Sequence, residues 1–285
     1  MSVLKIAVQK SGRLNEESIE LLKNCGIHID NGKDQLKASA TNFPMDVLYL
    51  RNGDIPQYVE DGVADIAIVG ENLLVEAGND IEVVRKLGFS KCKLSLAVPK
   101  DLDYEGLQYF DGKRIATSYP NTLQAFLDKN QVKADIHVIK GSVEIAPNIG
   151  LAEGICDLVS SGSTLFKNGL KETDLILTSE AVLVKSKKLT QEQEELLSTL
   201  LFRLDAVQKG KKSKYVLMNV PNDKIDNIIK MLPGMRSPTV LPLAEAGWSS
   251  VHTVIEEGQF WQVIDELKNA GAEGILIVPI EKMVL

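Results

Sequence analysis

The stretch Cys156–Leu170, "CDLVSSGSTLFKNGL", frames the reading of the fold. Its apolar start, "DLVSS", reads as a strand. A turn of Ser160, Ser161, Gly162, Ser163 and Thr164 follows, and a helix is expected to open near Thr164. A strand that runs through a short polar turn into a helix is one step of an α/β fold, and such sheets take their ligands outside the carboxyl ends of their strands. Gly162 permits dihedrals that let consecutive N–H groups converge. The hydroxyls add donors, and a helix start adds unpaired N–H groups. Asp157 stands three residues before Ser160, placed to accept hydrogen bonds from sugar hydroxyls. Donors for a phosphate beside an acid for a ribose suit a sugar phosphate. An ordinary polar turn after a strand is the plainer alternative.

Outward from that stretch the pattern repeats. Strand candidates are "LKIAVQ", "DVLYL", "DIAIVG", "KLSLAVP", "RIATSY", "DIHVIK", "DLVSS" and "AVLVKS". Helices are expected at "NEESIELLKNCG", "IPQYVEDG", "NTLQAFLDKN" and "SVEIAPNIGLAEG". The alternation argues for parallel sheets with helices on both faces. A longer helix is expected over Thr190–Gln208, with capping-box spacing at Thr190 and Gln193 and an apolar face from Leu196 to Val207. "KGKKSK", Lys209–Lys214, reads as a charged hinge broken by glycine rather than a nucleic-acid patch. The remainder runs "YVLMNV", "NDKIDNIIKML", "PTVLPL", "SSVHTVI", "GQFWQVIDELKNAG" and "GILIVPI", a β-α-β-β-α-β order typical of a ferredoxin-like unit.

Two further signals sit at strand ends. "VQKSGRL" puts Lys10 and Arg13 beside a flexible turn, before a helix expected to be capped by Asn15. It is neither a P-loop nor a dinucleotide fingerprint. Arg51 follows "DVLYL", and Gly70 and Glu71 follow "DIAIVG". Together these describe an anion-binding crevice, although each alone is an unremarkable polar turn. Glu144, in "KGSVEIAPNIGLAEGICD", opens an expected helix thirteen residues before Asp157. It is placed either to reach ribose hydroxyls or merely to complement a helix dipole.

Composition bounds the class. The chain has 285 residues, about two domains' worth as a soft expectation. Its 44% hydrophobic and 25% charged residues are those of a soluble globular protein. A net charge of −7 disfavours nucleic-acid binding. Three widely spaced cysteines give neither a disulfide framework nor a metal pair, and no apolar run approaches the ~18 residues of a membrane helix. The N-terminus "MSVLKIAVQKSGRL" lacks the features of a signal peptide, so a cytoplasmic location is expected. His28, His137 and His252 fall in separate strand-like runs and are expected to be structural.

Several segments resemble the ATP phosphoribosyltransferase family, the first enzyme of histidine biosynthesis: "IAVQKSGRL", "DIPQYVEDGVADIAIVGENLL", "GKRIATSYP", "GSVEIAPNIGLAEGICDLVSSGSTLFKNGL", "SKYVLMNVP", "LPGMRSPTVLPL" and "ILIVPIEKM". The resemblance spans nearly the whole chain and points to the long form of the family. It implies a periplasmic-binding-protein-like body of two lobes, residues 1–92 with 181–212 and residues 93–180, followed by an ACT-like domain, 213–285. It implies a pentosyltransferase that joins N1 of the adenine of ATP to C1 of phosphoribosyl pyrophosphate, with Mg²⁺ held largely through phosphates and no protein ligand assigned. By the same resemblance Glu144, Asp157, Ser160, Ser161, Gly162, Ser163 and Thr164 take phosphoribosyl pyrophosphate. Arg13, Gly70 and Glu71 take ATP, and Lys10, Arg13 and Arg51 stabilise the leaving group. Histidine is the expected inhibitor, bound by Asn219, Ser237 and Thr239, with a homo-oligomer moving from dimer to hexamer. The rival classes are a non-catalytic two-lobed binder or sensor and a purely regulatory subunit.

Overall fold

A computed structural model describes residues 2–30, 36–232 and 237–284. Elements appear in the order β1 (Leu4–Gln9), α1 (Arg13–Asn24), β2 (Lys37–Ser39), β3 (Met45–Leu50), α2 (Ile55–Glu60), β4 (Ile66–Gly70), α3 (Glu71–Ala77) and β5 (Glu82–Lys86). Then come β6 (Cys92–Pro99), β7 (Arg114–Thr117), α4 (Pro120–Lys129), β8 (Asp135–Val138), β9 (Gly154–Val159), α5 (Ser163–Lys167), β10 (Leu170–Ser179) and β11 (Ala181–Lys185). The remainder is α6 (Gln191–Lys212), β12 (Ser213–Pro221), α7 (Ile225–Met231), β13 (Thr239–Pro242), β14 (Trp248–Glu256), α8 (Glu257–Asn269) and β15 (Glu273–Pro279).

Two mixed sheets make the two lobes. The first runs β2-β3-β1-β4-β11-β5 and the second β10-β6-β9-β7-β8. The expectation of parallel sheets is corrected: β2 pairs antiparallel with β3, β5 with β11 and β10 with β6. The strands next to the crossovers, β6 and β11, run antiparallel to β9 and β4, because each belongs to a chain that has just entered from the other sheet. Only Glu180 separates β10 from β11. Ala7, Ile55, Val59, Ala67, Val69, Val182 and Val184 fill one core, and Leu94, Leu96, Val98, Phe110, Ile115, Leu123 and Leu127 another.

By contact density the chain divides into two units. One runs through Leu196 except for Asn24–Gly26, and those three residues join Leu197 onward in the second. Within the second unit, β13-β14-β12-β15 form an antiparallel sheet in the ferredoxin-like strand order, with the β-α-β-β-α-β sequence intact. Val216, Met218, Val220, Val251 and Ile255 pack on Ile228, Phe260 and Leu267 of the two helices.

Several local expectations change. The expected hinge Lys209–Lys214 is the end of α6 running straight into β12. A Cβ on Gly210 would lie 2.8 Å from the Glu281 backbone, so glycine there serves close packing rather than flexibility. The expected helix "SVEIAPNIGLAEG" is a single 3₁₀ turn, Val143–Ile145, followed by turns. Asn15 lies inside α1 instead of capping it, and its Nδ2 ties the first turn to the Gln9 carbonyl at 2.6 Å. The Thr190–Gln193 capping box forms as expected. The Thr190 amide donates to Gln193 Oε1 at 2.9 Å, and the Gln193 amide to Thr190 Oγ1 at 3.3 Å. Part of the motif "LPGMRSPTVLPL", residues 233–236, lies outside the described residues.

Candidate active site

The turn after β9 and the 3₁₀ turn at Glu144 line one cavity of about 220 Å³. Glu144, Asp157, Ser160, Ser161, Gly162, Ser163 and Thr164 are all on its wall. Gly162 sits at φ +73°, a left-handed conformation that a side chain would strain. Ser160, Ser161, Ser163 and Thr164 are exposed. Ser161 Oγ and Ser163 Oγ bond to each other at 3.0 Å. The loop thus presents hydroxyls to the cavity instead of spending them on the protein.

Asp157 accepts its neighbour's amide, Leu158 N–H to Oδ1 at 2.8 Å. Burial pushes its carboxyl above the usual value of 3.8, and the Glu144 charge adds to the rise, while the Leu158 bond opposes it. Two acids across one small cavity repel each other when ionised, and a divalent cation or a ring of sugar hydroxyls relieves that repulsion. Among the described residues no group of three or more His, Cys, Asp or Glu gathers as a metal cage. Glu144 and Asp157 are the carboxylate oxygen donors that this cavity offers to a divalent cation.

A second cavity, about 310 Å³, lies between the two lobes. Gln9, Arg13, Asn52, Gly70 and Asn72 line it from the first lobe, and Leu158 and Ser160 from the second. A third, about 340 Å³, is lined by Glu71, Lys86, Lys91, Cys92 and Ser160 among others. Ser160 belongs to all three cavities, so the Ser160–Thr164 turn, the Arg13 side and the Glu71 side meet there. Arg13 is held by Glu17 at 3.3 Å, and Glu17 in turn accepts from Ser90 Oγ. Lys10 and Arg51 stand outside these linings as exposed residues at the ends of β1 and β3. They are neighbours there, because β1 pairs with β3 through Gln9 and Leu50, and the Lys10 amide donates to the Leu50 carbonyl at 2.8 Å.

Sequence reading missed the amides. Asn72 is buried; its Oδ1 accepts from Ser179 Oγ at 2.9 Å and its Nδ2 donates to Tyr119 at 3.2 Å. Burial and the nearby Asp157 charge push the Tyr119 phenol well up, so it stays neutral. A Cβ on Gly70 would lie 2.4 Å from Asn72 Oδ1. Asn52 Oδ1 is buried without a partner on the wall of the inter-lobe cavity, an acceptor left for something that donates to it. Neither amide carries a charge; Asn72 lies within the quoted segment ending "VGENLL", but nothing there marked its side chain apart from Gly70 and Glu71.

In the C-terminal sheet, Asn219 is registered with Ser250 and Thr239 with His252, which puts all four on the face opposite α7 and α8. His252 bonds Tyr215 through Nδ1 at 2.8 Å and Ser250 through Nε2 at 2.9 Å. Ser237 Oγ donates to the carbonyl of its neighbour Pro238 at 3.4 Å.

Two α/β lobes with cavities meeting on a hydroxyl-rich turn, and a βαββαβ unit appended, define a two-lobed α/β protein with a ferredoxin-like C-terminal domain. Comparison with known sequences gives the family. The profile described as ATP phosphoribosyltransferase matches residues 51–206, and the profile of that family's C-terminal domain matches 210–282. The ATP phosphoribosyltransferases of Cytophaga hutchinsonii and Bacteroides fragilis are each 56% identical over 283 residues. Those alignments cover 99% of this chain, with 99% and 100% of the relatives. A chain of the ATP phosphoribosyl transferase (HisG:HisZ) complex from Thermotoga maritima is 29% identical with a TM-score of 0.62, covering 71% of this chain and 96% of that one. The chain belongs to the ATP phosphoribosyltransferase family.

Proposed function

We infer that the chain transfers the phosphoribosyl group of phosphoribosyl pyrophosphate to ATP. The adenine N1 lone pair forms the new bond to ribose C1, and the C1–oxygen bond breaks with its electrons going to pyrophosphate. The observation that carries this is the cavity in which Glu144, Asp157 and the Ser160–Thr164 turn face one another. In this reading the turn holds the sugar's 5′-phosphate, and the two acids accept the ribose hydroxyls. Arg13, with Lys10 and Arg51 at the neighbouring strand ends, meets the charge that grows on the leaving pyrophosphate. Gly70 and Glu71 border the ATP. Mg²⁺, when bound, neutralises phosphate charge. N1 is already a nucleophile, so the chain's task is to hold two substrates in line across the lobes.

The finer reading extends to regulation. Residues 1–92 with 181–212 and residues 93–180 act as the two catalytic lobes, and 213–285 as a regulatory domain. Asn219, Ser237 and Thr239 take histidine, and inhibition accompanies assembly of dimers into hexamers. The similar Thermotoga maritima chain is part of a HisG:HisZ complex, which supports assembly as a property of the family. Three free cysteines, with no disulfide among the described residues, support a cytoplasmic location.

The test is incubation of the purified chain with ATP, phosphoribosyl pyrophosphate and Mg²⁺, following pyrophosphate release and the ultraviolet absorbance of the adduct. Both signals are expected, and each requires both substrates. Pyrophosphate release that does not depend on ATP would contradict the transfer. Thr239→Ala is expected to weaken inhibition by histidine and leave uninhibited turnover nearly unchanged; undiminished inhibition would remove Thr239 from the inhibitor site.

A further inference from the structure

The start of α4 is capped from the other lobe. Its N-cap residue, Tyr119, supplies no side-chain cap, Pro120 opens the first turn, and that turn holds no acid. Amides at a helix start need acceptors from outside the helix. Here Glu76 Oε1 accepts the Asn121 amide at 2.9 Å, and Oε2 accepts the Thr122 amide at 2.9 Å and the Thr122 hydroxyl at 2.7 Å. The Glu76 carbonyl also accepts from Asn121 Nδ2 at 3.0 Å.

Glu76 sits in the last turn of α3, where its own helix dipole disfavours a carboxylate. The dipole of α4 favours it, so the placement serves α4 and not α3. One helical turn earlier on α3, Asn72 reaches Tyr119. The capped end is wired to the phosphoribosyl loop. The Tyr119 amide donates to Thr117 Oγ1 at 2.9 Å, and that hydroxyl donates to the carbonyl of Cys156, next to Asp157, at 2.7 Å.

We propose that Glu76 is a positioning residue for the transfer: by capping α4 across the lobes, it fixes the distance between the loop after β9 and the strand ends that carry Arg13 and Gly70. The role rests on the proposed reaction. It has a specific kinetic signature, because the loop lies wholly in the second lobe. Binding of one substrate there does not need the clasp, whereas reaction between substrates on two lobes does.

The experiment compares the full-length chain with Glu76→Gln and Thr122→Val. Glutamine presents an N–H₂ where the paired donors require an oxygen, and valine removes only the hydroxyl bond. Glu76→Gln is expected to lower kcat by about 10- to 100-fold, as misplacement of reacting groups does. Its affinity for phosphoribosyl pyrophosphate, by calorimetry, should stay within about twofold. Thr122→Val should show the same split at smaller size. Amide exchange at Asn121 and Thr122 should be slow in the parent and fast in Glu76→Gln. A kcat within about twofold of the parent overturns the proposal. So does a kcat loss matched by equal loss of substrate affinity or of folded protein, which is the mark of a merely structural contact. A parent chain that releases no pyrophosphate sinks the reaction and the positioning role together; an active parent with an equally active variant sinks the role alone.

Discussion

The turn Ser160–Thr164 and the corner around Asn72 are both polar, both line the cleft, and are opposites in how they spend their hydrogen bonds. The corner is closed: Asn72, Ser179 and Tyr119 satisfy one another across the lobes, and Asn72 is buried. The turn is open: its serines are exposed and bond chiefly to each other. Satisfied buried polar groups fix geometry, whereas exposed hydroxyls bond to water until a ligand displaces it. One region ties the lobes together, and the other is the one proposed to hold substrate between them. Mutations in the open region should therefore damage function more than stability, and those in the closed region the reverse.

The largest effect is expected at Arg13, on the open side. Arg13→Ala should lower kcat by about 10²–10³, the usual loss when a donor to developing charge is removed, with little change in Tm. A kcat within a few fold of the parent would move the leaving group elsewhere. Asp157→Asn comes next and separates function from stability most sharply. Losing charge-assisted bonds to the ribose should cost about one to two decades in kcat/KM. The ligand-free protein should nonetheless become more stable at neutral pH. The folded carboxyl titrates above its ordinary value of 3.8, so the stability it contributes is present below that pH and is lost as the pH rises through the folded value. Asparagine removes that cost. The gain in Tm should shrink to nothing in acid; a fall in Tm at neutral pH would contradict the assignment.

On the closed side, Asn72→Ala removes the acceptor of the Ser179 hydroxyl and the donor to Tyr119, while the amide at 72 still donates to Ser179 Oγ, and should cost about 1–3 kcal/mol of stability. Turnover per folded molecule should fall less than tenfold, to be read by denaturant unfolding beside active-site titration. A mutation that spares stability and abolishes turnover would place Asn72 on the substrate. The smallest functional effect is expected away from both regions, at Glu153. Arg114 and its amide hold the Glu153 carboxyl down to about 2. A depressed carboxyl stabilises the fold above its ordinary value of 4.5 and loses that contribution as the pH falls toward about 2. Glu153→Gln should thus lower Tm at neutral pH, leave it nearly unchanged in strong acid, and not alter kcat.

The open region was legible in the sequence because its chemistry is written in charges, hydroxyls and glycine at short spacing. The closed region was not. Asn72 and Ser179 are 107 residues apart and acquire meaning only where the chain leaves the end of β10 and returns to the first lobe as β11. The strands missed have a similar cause. β10 carries register shifts between Glu172 and Leu175 and again by Leu177, which break the alternation that marks a strand. β5 is an edge strand with largely exposed side chains, so it lacks an apolar rhythm. The helix expected over residues 142–154 has apolar spacing, but Pro147 removes a donor and Gly150 sits at φ +74°, and neither fits a continuous helix. The capping box at Thr190 was readable because both partners lie within one turn.

The contact between Gly70 and Asn72 also bears on how this chain can change over generations. A methyl group at position 70 would meet the carboxamide of Asn72 at 2.4 Å, and that carboxamide is tethered to two other side chains. An alanine arising first at 70 must break the tether, so selection removes it. The same alanine arising after position 72 has already lost its amide meets no such penalty. The order of substitution is therefore expected to matter, and changes at positions 70 and 72 to be coupled. Descendants that replace the glycine are expected to carry a smaller residue at 72 and a different bond between the lobes.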